Sequence, residues 1–117
     1  MSDYTIYHNP RCSKSRQTLA LLEDKGISPT VIRYLDDTPD VATLARLVKM
    51  LALPRAHDLL RTKEADYHHA GLGADSSDED VLAAMAQYPK LIERPIVVHG
   101  NRAVLGRPPE NVFKLMD

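Results

Sequence analysis

Tyr4-Thr5-Ile6-Tyr7-His8-Asn9-Pro10-Arg11-Cys12-Ser13-Lys14-Ser15-Arg16 carries the only cysteine of the chain, at the junction between two kinds of local pattern. The β-branched and aromatic run Tyr4 to His8 predicts a first strand (β1) that ends at Asn9-Pro10. Ser13 to Lys25 predicts a helix whose apolar face is carried by Leu19 and Leu22, with Leu21 alongside. Gly26 stands just past its end, where a left-handed cap favours glycine. Pro29 to Tyr34 predicts a second strand (β2). Strand, helix and strand with short connections form a βαβ unit, whose right-handed crossover leaves the two strands parallel.

This junction has chemical meaning. Cys12 lies among His8, Arg11, Lys14 and Arg16 with no acid nearby. Positive charge and the unpaired N–H groups of a helix start both favour a thiolate, and lower a thiol pKa to roughly 3.5–7.5 in strong cases. Most free cysteines are small buried hydrophobes, but a buried structural thiol has no use for four cationic neighbours. The setting is that of a nucleophile.

The middle of the chain reads as helical. Leu44, Leu47, Val48 and Leu51 recur at the helical period after Thr38-Pro39-Asp40, which offers an N-cap and a proline suited to a first turn. Pro54 to Arg61 predicts a short second helix. Ser76-Ser77-Asp78-Glu79 has capping-box spacing before Val81, Met85 and Tyr88, and Pro89 marks the stop. Ile96 to His99 (β3) and Arg102 to Leu105 (β4) flank Gly100-Asn101, which suits a type II′ hairpin, and Pro109 to Met116 closes the chain as a helix.

This order of elements resembles the thioredoxin fold. The resemblance implies an α/β class with a four-stranded mixed sheet in the order β2-β1-β3-β4 and a helical insertion between β2 and β3. Residues 1–117 form a single domain on this reading. A cis-proline opening the third strand would fall at Arg94-Pro95, since proline is the residue for which a cis bond is cheap.

Composition excludes several classes. No apolar run approaches the ~20 residues that cross a bilayer, and Met1-Ser2-Asp3 leads into a strand pattern rather than a secretory leader, so a soluble, cytoplasmic protein is expected. One cysteine makes no internal disulfide, so any redox partner thiol comes from another molecule. A net charge of −1 gives no general attraction to nucleic acid or anionic membrane. His57, His68, His69 and His99 lack metal-ligand spacing, so no metal site is expected. A C-x5-R phosphatase loop is excluded because Thr18 stands where the arginine belongs.

Cys12-Ser13-Lys14-Ser15 is a C-x-x-S, a redox dithiol motif with serine in place of the resolving cysteine. Taken with Ile6-Tyr7-His8-Asn9-Pro10, Ser15-Arg16, Leu59-Leu60-Arg61, Arg94-Pro95-Ile96-Val97-Val98 and Arg107-Pro108, the chain resembles the arsenate reductases that work with glutathione and glutaredoxin, over nearly its whole length. The resemblance implies that Cys12 is the catalytic cysteine and that Arg61, Arg94 and Arg107 bind the oxyanion. Guanidinium suits that task, because its charge is permanent and its planar fork matches two oxygens of a tetrahedral anion. His8 and Ser15 are candidates for activating the thiolate, His8 through an imidazolium and Ser15 through a hydrogen bond. Arsenate is the implied substrate, with glutathione as co-substrate, glutaredoxin as partner and no bound cofactor. Better-known members have small residues where this chain has Arg11, Ser13 and Lys14. Two alternatives stand beside this reading: a regulator of the same fold that binds RNA polymerase, whose redox-sensing members carry C-x-x-C, and a general glutathione-linked thiol oxidoreductase.

Overall fold

Four strands, β1 (Tyr4–His8), β2 (Thr30–Arg33), β3 (Ile96–His99) and β4 (Arg102–Leu105), form one sheet in the order β2-β1-β3-β4. In the computed structural model, which describes residues 3–116, β1 pairs in parallel with β2 and antiparallel with β3, and β3 pairs antiparallel with β4. The α/β fold is thioredoxin-like. Met1 and Ser2, on which the reading of the N-terminus partly rests, and Asp117 lie outside the described residues. The chain divides into two compact units, one made of residues 3–37 with 94–116, the other Thr38–Glu93.

In the first unit, the period-2 pattern of β1 buries Tyr4, Ile6 and His8 and leaves Thr5 and Tyr7 partly exposed. Helix α1 (Ser13–Asp24) follows β1 and packs against the 3-10 helix Pro109–Leu115, which also packs against β4. The core joins Tyr4, Ile6, Leu22, Val97, Val112 and Leu115. Each fully buried aliphatic side chain here contributes about 1.5–3 kcal/mol relative to exposure. Helix α1 ends in a Schellman arrangement: the Ile27 N–H donates to Leu22 O (3.0 Å), the Gly26 N–H to Glu23 O (2.9 Å), and Gly26 takes φ +76°.

The buried stripe of α1 differs from the expected one. Ser15, Thr18 and Leu22 are buried, while Leu19 and Leu21 are only partly so and pack at the margin of the core. The helix begins over polar backbone rather than apolar side chains. Thr18 Oγ1 donates to Lys14 O at 2.8 Å and lies 3.3 Å from Gly106 O, so its burial is hydrogen-bonded.

Gly106 sits at this junction for a steric reason. A Cβ there would lie 2.5 Å from Thr18 Oγ1 and 2.7 Å from Pro95 Cγ. The proline ring cannot rotate away, and Thr18 is held by its own bonds. We expect Gly106→Ala to cost about 1–3 kcal/mol of stability, the usual cost of overpacking. A urea midpoint equal to that of the unsubstituted chain would refute this.

In the second unit, α2 (Val41–Met50) packs against α4 (Asp78–Gln87), with Leu44, Leu47, Val81, Ala84 and Met85 buried. Asp40 caps α2, its Oδ1 accepting the Thr43 N–H at 2.8 Å, so Pro39 precedes the helix rather than entering its first turn. Ser77 caps α4, its Oγ accepting the Asp80 N–H at 3.1 Å. The segment expected as a helix over 54–61 is a 3-10 turn, Ala56–Leu59, and a short helix α3 (Ala65–His69) had no clear periodic signal. No helix among the described residues is long and apolar enough to cross a membrane.

Candidate functional site

Cys12 is the N-cap of α1, with extended backbone (φ −94°, ψ 122°). Its N–H donates to Asn9 O at 3.0 Å, and its carbonyl accepts the Arg16 N–H at 3.0 Å. At this position a serine or aspartate oxygen would accept an N–H from the second or third helical residue. Cys12 makes no side-chain cap hydrogen bond of that kind, but the N–H groups of Ser15 and Lys14 still act on its sulfur and favour the thiolate. Cys12 is buried, with 9% of the residue exposed.

The β3–β4 hairpin delivers two arginines to the same thiol. Ile96 pairs with Leu105, and the Gly106 N–H extends the ladder to Pro95 O at 2.9 Å. The next residues outward are Arg94 and Arg107. The peptide bonds Arg94-Pro95 and Arg107-Pro108 are both cis. Arg107 Nη1 lies 4.0 Å from Cys12 Sγ and donates to Arg94 O at 3.2 Å. The Arg94 guanidinium also hydrogen-bonds the sulfur.

These contacts act on the ionisation of the thiol. Burial pushes the Cys12 pKa up, but the Ser15 N–H, the Arg94 guanidinium and the Lys14 N–H together outweigh it, and the net result is a pKa below the ordinary thiol value. The stabilising groups are backbone dipoles and an arginine remote in sequence. Arg11, Lys14 and Arg16, the cations that flank the cysteine in the sequence, have exposed side chains, and Arg16 Nη1 donates to Pro10 O at 2.9 Å. With the folded pKa below the unfolded one, ionisation of Cys12 stabilises the fold fully above the unfolded value of about 8.5, and that contribution is lost as pH falls through the folded pKa. Alkylation by iodoacetamide should therefore show an inflection below that of an ordinary thiol, with a rate nearly independent of pH above it. An inflection at the ordinary value would show that the sulfur does not feel these groups.

His8 and Ser15 meet each other. The His8 ring is buried, its Nδ1 is 2.6 Å from Ser15 Oγ, and the same oxygen accepts the Asn9 N–H at 3.1 Å. Burial, then the charges of Arg33 and Arg16, push the His8 pKa below its ordinary value, so the ring is neutral at pH 7. An imidazolium acting on the sulfur does not fit this environment. The pair instead ties the end of β1 to the first turn of α1, and the Ser15 group that acts on the sulfur is the backbone N–H rather than the hydroxyl.

Arg61 belongs to the second unit. Leu60 and Ile92 form an antiparallel bridge, flanked by Arg61 N–H to Leu91 O and Glu93 N–H to Leu59 O, each 2.8 Å. This fixes the Arg61 backbone against residues 91–93 of the same unit. Arg61 Nη1 is 3.2 Å from Glu93 Oε1, while Arg61 Nε is buried and has no acceptor among the described residues. An orphaned buried donor costs about 1–3 kcal/mol, which an acceptor anion would relieve. Glu93 was not singled out from the sequence, although an acid directly before Arg94 was a visible signal. Thr18 and Gly106 carried no signal at all, because their roles come from contacts with sequence-distant backbone.

A thiolate beside paired guanidinium groups can attack an electrophilic centre that bears anionic oxygens. A sequence model of the ArsC family matches residues 7–115. The chain belongs to the ArsC family. It is 44% identical over 113 residues to an arsenate reductase of Neisseria meningitidis, covering 96% of this chain and 97% of that protein. It is 49% identical over 112 residues to the uncharacterized Escherichia coli protein YfgD, covering 95% and 94%. Among solved structures, an arsenate reductase from Vibrio cholerae superposes with a TM-score of 0.92 at 51% identity, covering 96% of each chain. Within the first unit, Cys12, Arg94 and Arg107 are in mutual contact.

Proposed function

We propose that the protein reduces arsenate to arsenite with a single cysteine, using glutathione and glutaredoxin as the source of electrons. The observation that carries this reading is the Cys12 sulfur at a helix N-cap with Arg107 Nη1 at 4.0 Å and Arg94 beside it. The arsenate reductases of N. meningitidis and V. cholerae, similar along almost the whole chain, support the choice of arsenic.

In this mechanism arsenate is held by Arg94 and Arg107; Arg61, the third arginine that the family resemblance implies, carries an unsatisfied Nε that suits an anionic oxygen. The Cys12 thiolate attacks arsenic, an As–S bond forms, and one arsenate oxygen takes up protons and leaves as water. Arsenic remains As(V). The glutathione thiol then displaces a second hydroxyl as water. The glutaredoxin thiolate attacks the glutathione sulfur, a mixed disulfide forms, and the As–S electron pair stays on arsenic, which becomes As(III). The As(III) oxyanion takes up one proton, and water then cleaves the As–S bond, releasing arsenite and restoring the Cys12 thiol. Phosphate would occupy the same anion site without turnover, because thiols do not reduce phosphorus(V).

The test is NADPH oxidation coupled through glutathione reductase, with glutathione and glutaredoxin present. Arsenate-dependent consumption that stops when either thiol component is omitted is the expected result. Consumption that continues at full rate without glutaredoxin, or none under any condition, would remove the mechanism.

A further inference from the structure

Next to the loop that carries Cys12, the first unit contains a cavity that the mechanism above leaves unused. β1 and β2 are parallel with His8 beside Arg33, so their carboxyl ends finish side by side. The chain leaves β1 through residues 9–11 and leaves β2 through a turn closed by the Asp36 and Asp37 N–H groups on Arg33 O, at 2.9 and 2.8 Å. Between these exits lies a cavity of about 290 Å³, near the lower end of the roughly 300–1,000 Å³ of small-molecule sites. Crevices at the carboxyl ends of strands are common ligand sites in α/β folds.

The lining has a definite charge pattern. His8, Pro10 and Leu35 supply a neutral and partly apolar wall, and Arg11, Arg33 and Asp36 supply two positive charges and one negative. Among the described residues none of these three side chains is in an ion pair. An inorganic oxyanion would meet the Asp36 carboxylate as a repulsive neighbour. A better match is a molecule with two carboxylates and one ammonium, separated by a short polar chain. Glutathione has that pattern, with its thiol in the middle residue.

We propose that this cavity seats glutathione, with its carboxylates on Arg11 and Arg33, its ammonium on Asp36 and its sulfur directed to the adjoining Cys12 loop. The proposal rests on the reading of glutathione as co-substrate, and it gives that reading a location. It places the incoming thiol on the β2 side of Cys12, whereas Arg94 and Arg107 reach the sulfur from the β3–β4 hairpin.

The test separates the site from the reaction. S-methylglutathione, which cannot react, is titrated into the full chain without arsenate, and the same titration is run on Arg33→Ala, Arg11→Ala and Asp36→Asn. Saturable binding is expected, weakened about tenfold by each arginine substitution, the loss of one charge-assisted hydrogen bond, and by less for Asp36→Asn. In turnover the glutathione KM should rise about tenfold in Arg33→Ala, while the arsenate KM stays within about twofold. Because the three residues are exposed, circular dichroism melts should match those of the unsubstituted chain. Binding that depends on Arg33 in a chain without arsenate turnover would support the cavity and sink the proposed function. Arsenate turnover with unchanged glutathione KM in both arginine variants would sink the cavity and leave the function standing. A rise confined to the glutaredoxin KM would make this a protein-docking surface and also overturn the proposal.

Discussion

Replacing Cys12 with serine should leave a folded protein that reduces no arsenate above background. Serine is among the best N-cap residues, so the start of α1 should be retained or slightly strengthened, and the melting temperature should stay within a few degrees. The chemistry has no such substitute. A serine hydroxyl stays protonated at neutral pH, and the groups that hold the Cys12 thiolate have no anion to stabilise. The chain has no second thiol to take over. The loss should therefore exceed roughly a thousandfold in the coupled assay, the scale seen when a nucleophile is removed. Substantial arsenate reduction by this variant would end the single-cysteine mechanism. A collapse of the melting temperature would instead mean that the sulfur has a packing role, which its position at a polar helix start argues against.

Much of the frame was legible because strands and turns speak locally. Tyr4 to His8 alternates, and the pairing of β3 with β4 follows from a short apolar run on each side of Gly100-Asn101, with Gly100 at φ +64°. Position Arg94-Pro95 could be marked for a cis bond only through the resemblance to a fold, since the local sequence allowed a trans proline equally well. The middle of the chain was less legible. Short 3-10 turns such as Ala56–Leu59 have too few residues for a period to show, and their placement is decided by tertiary contacts.

The candidate site divides in the same way. That Cys12 opens a helix was visible in sequence, because Pro10 and the serines punctuate the chain there. The source of thiolate stabilisation was not. Cations one to four residues from the cysteine suggested a local field, yet Arg11, Lys14 and Arg16 have exposed side chains. The N–H groups that act on the sulfur are present in any helix, whatever its side chains, and Arg94 arrives from the far end of the sequence through strand pairing. Ser15 and Thr18 look like ordinary surface positions of a helix. They are buried because the first turn of α1 lies over His8, the Asn9 N–H and Gly106 O.

The second large effect concerns Arg94 and Arg107, which share the thiol but differ in what they do to it. Arg94→Ala should lower kcat/KM for arsenate by about 10- to 150-fold, from the ~1.5–3 kcal/mol of a charged hydrogen bond to the anion. It should also raise the Cys12 pKa, since the Arg94 guanidinium is the chief side-chain contribution that lowers it. Arg107→Ala should cost a similar factor in arsenate use with a smaller change in the thiol pKa, because its Nη1 stands 4.0 Å from the sulfur and also donates to Arg94 O. Lysine should restore the thiol pKa at position 94 better than it restores kcat/KM. A point charge serves a thiolate, but it lacks the planar fork that grips two oxygens of a tetrahedral anion. Steady-state kinetics in arsenate together with the pH dependence of alkylation separate the two roles. If alanine at both positions left kcat/KM intact, neither arginine would belong to the anion site. If lysine at position 94 restored pKa and kcat/KM equally, Arg94 would act on the sulfur alone.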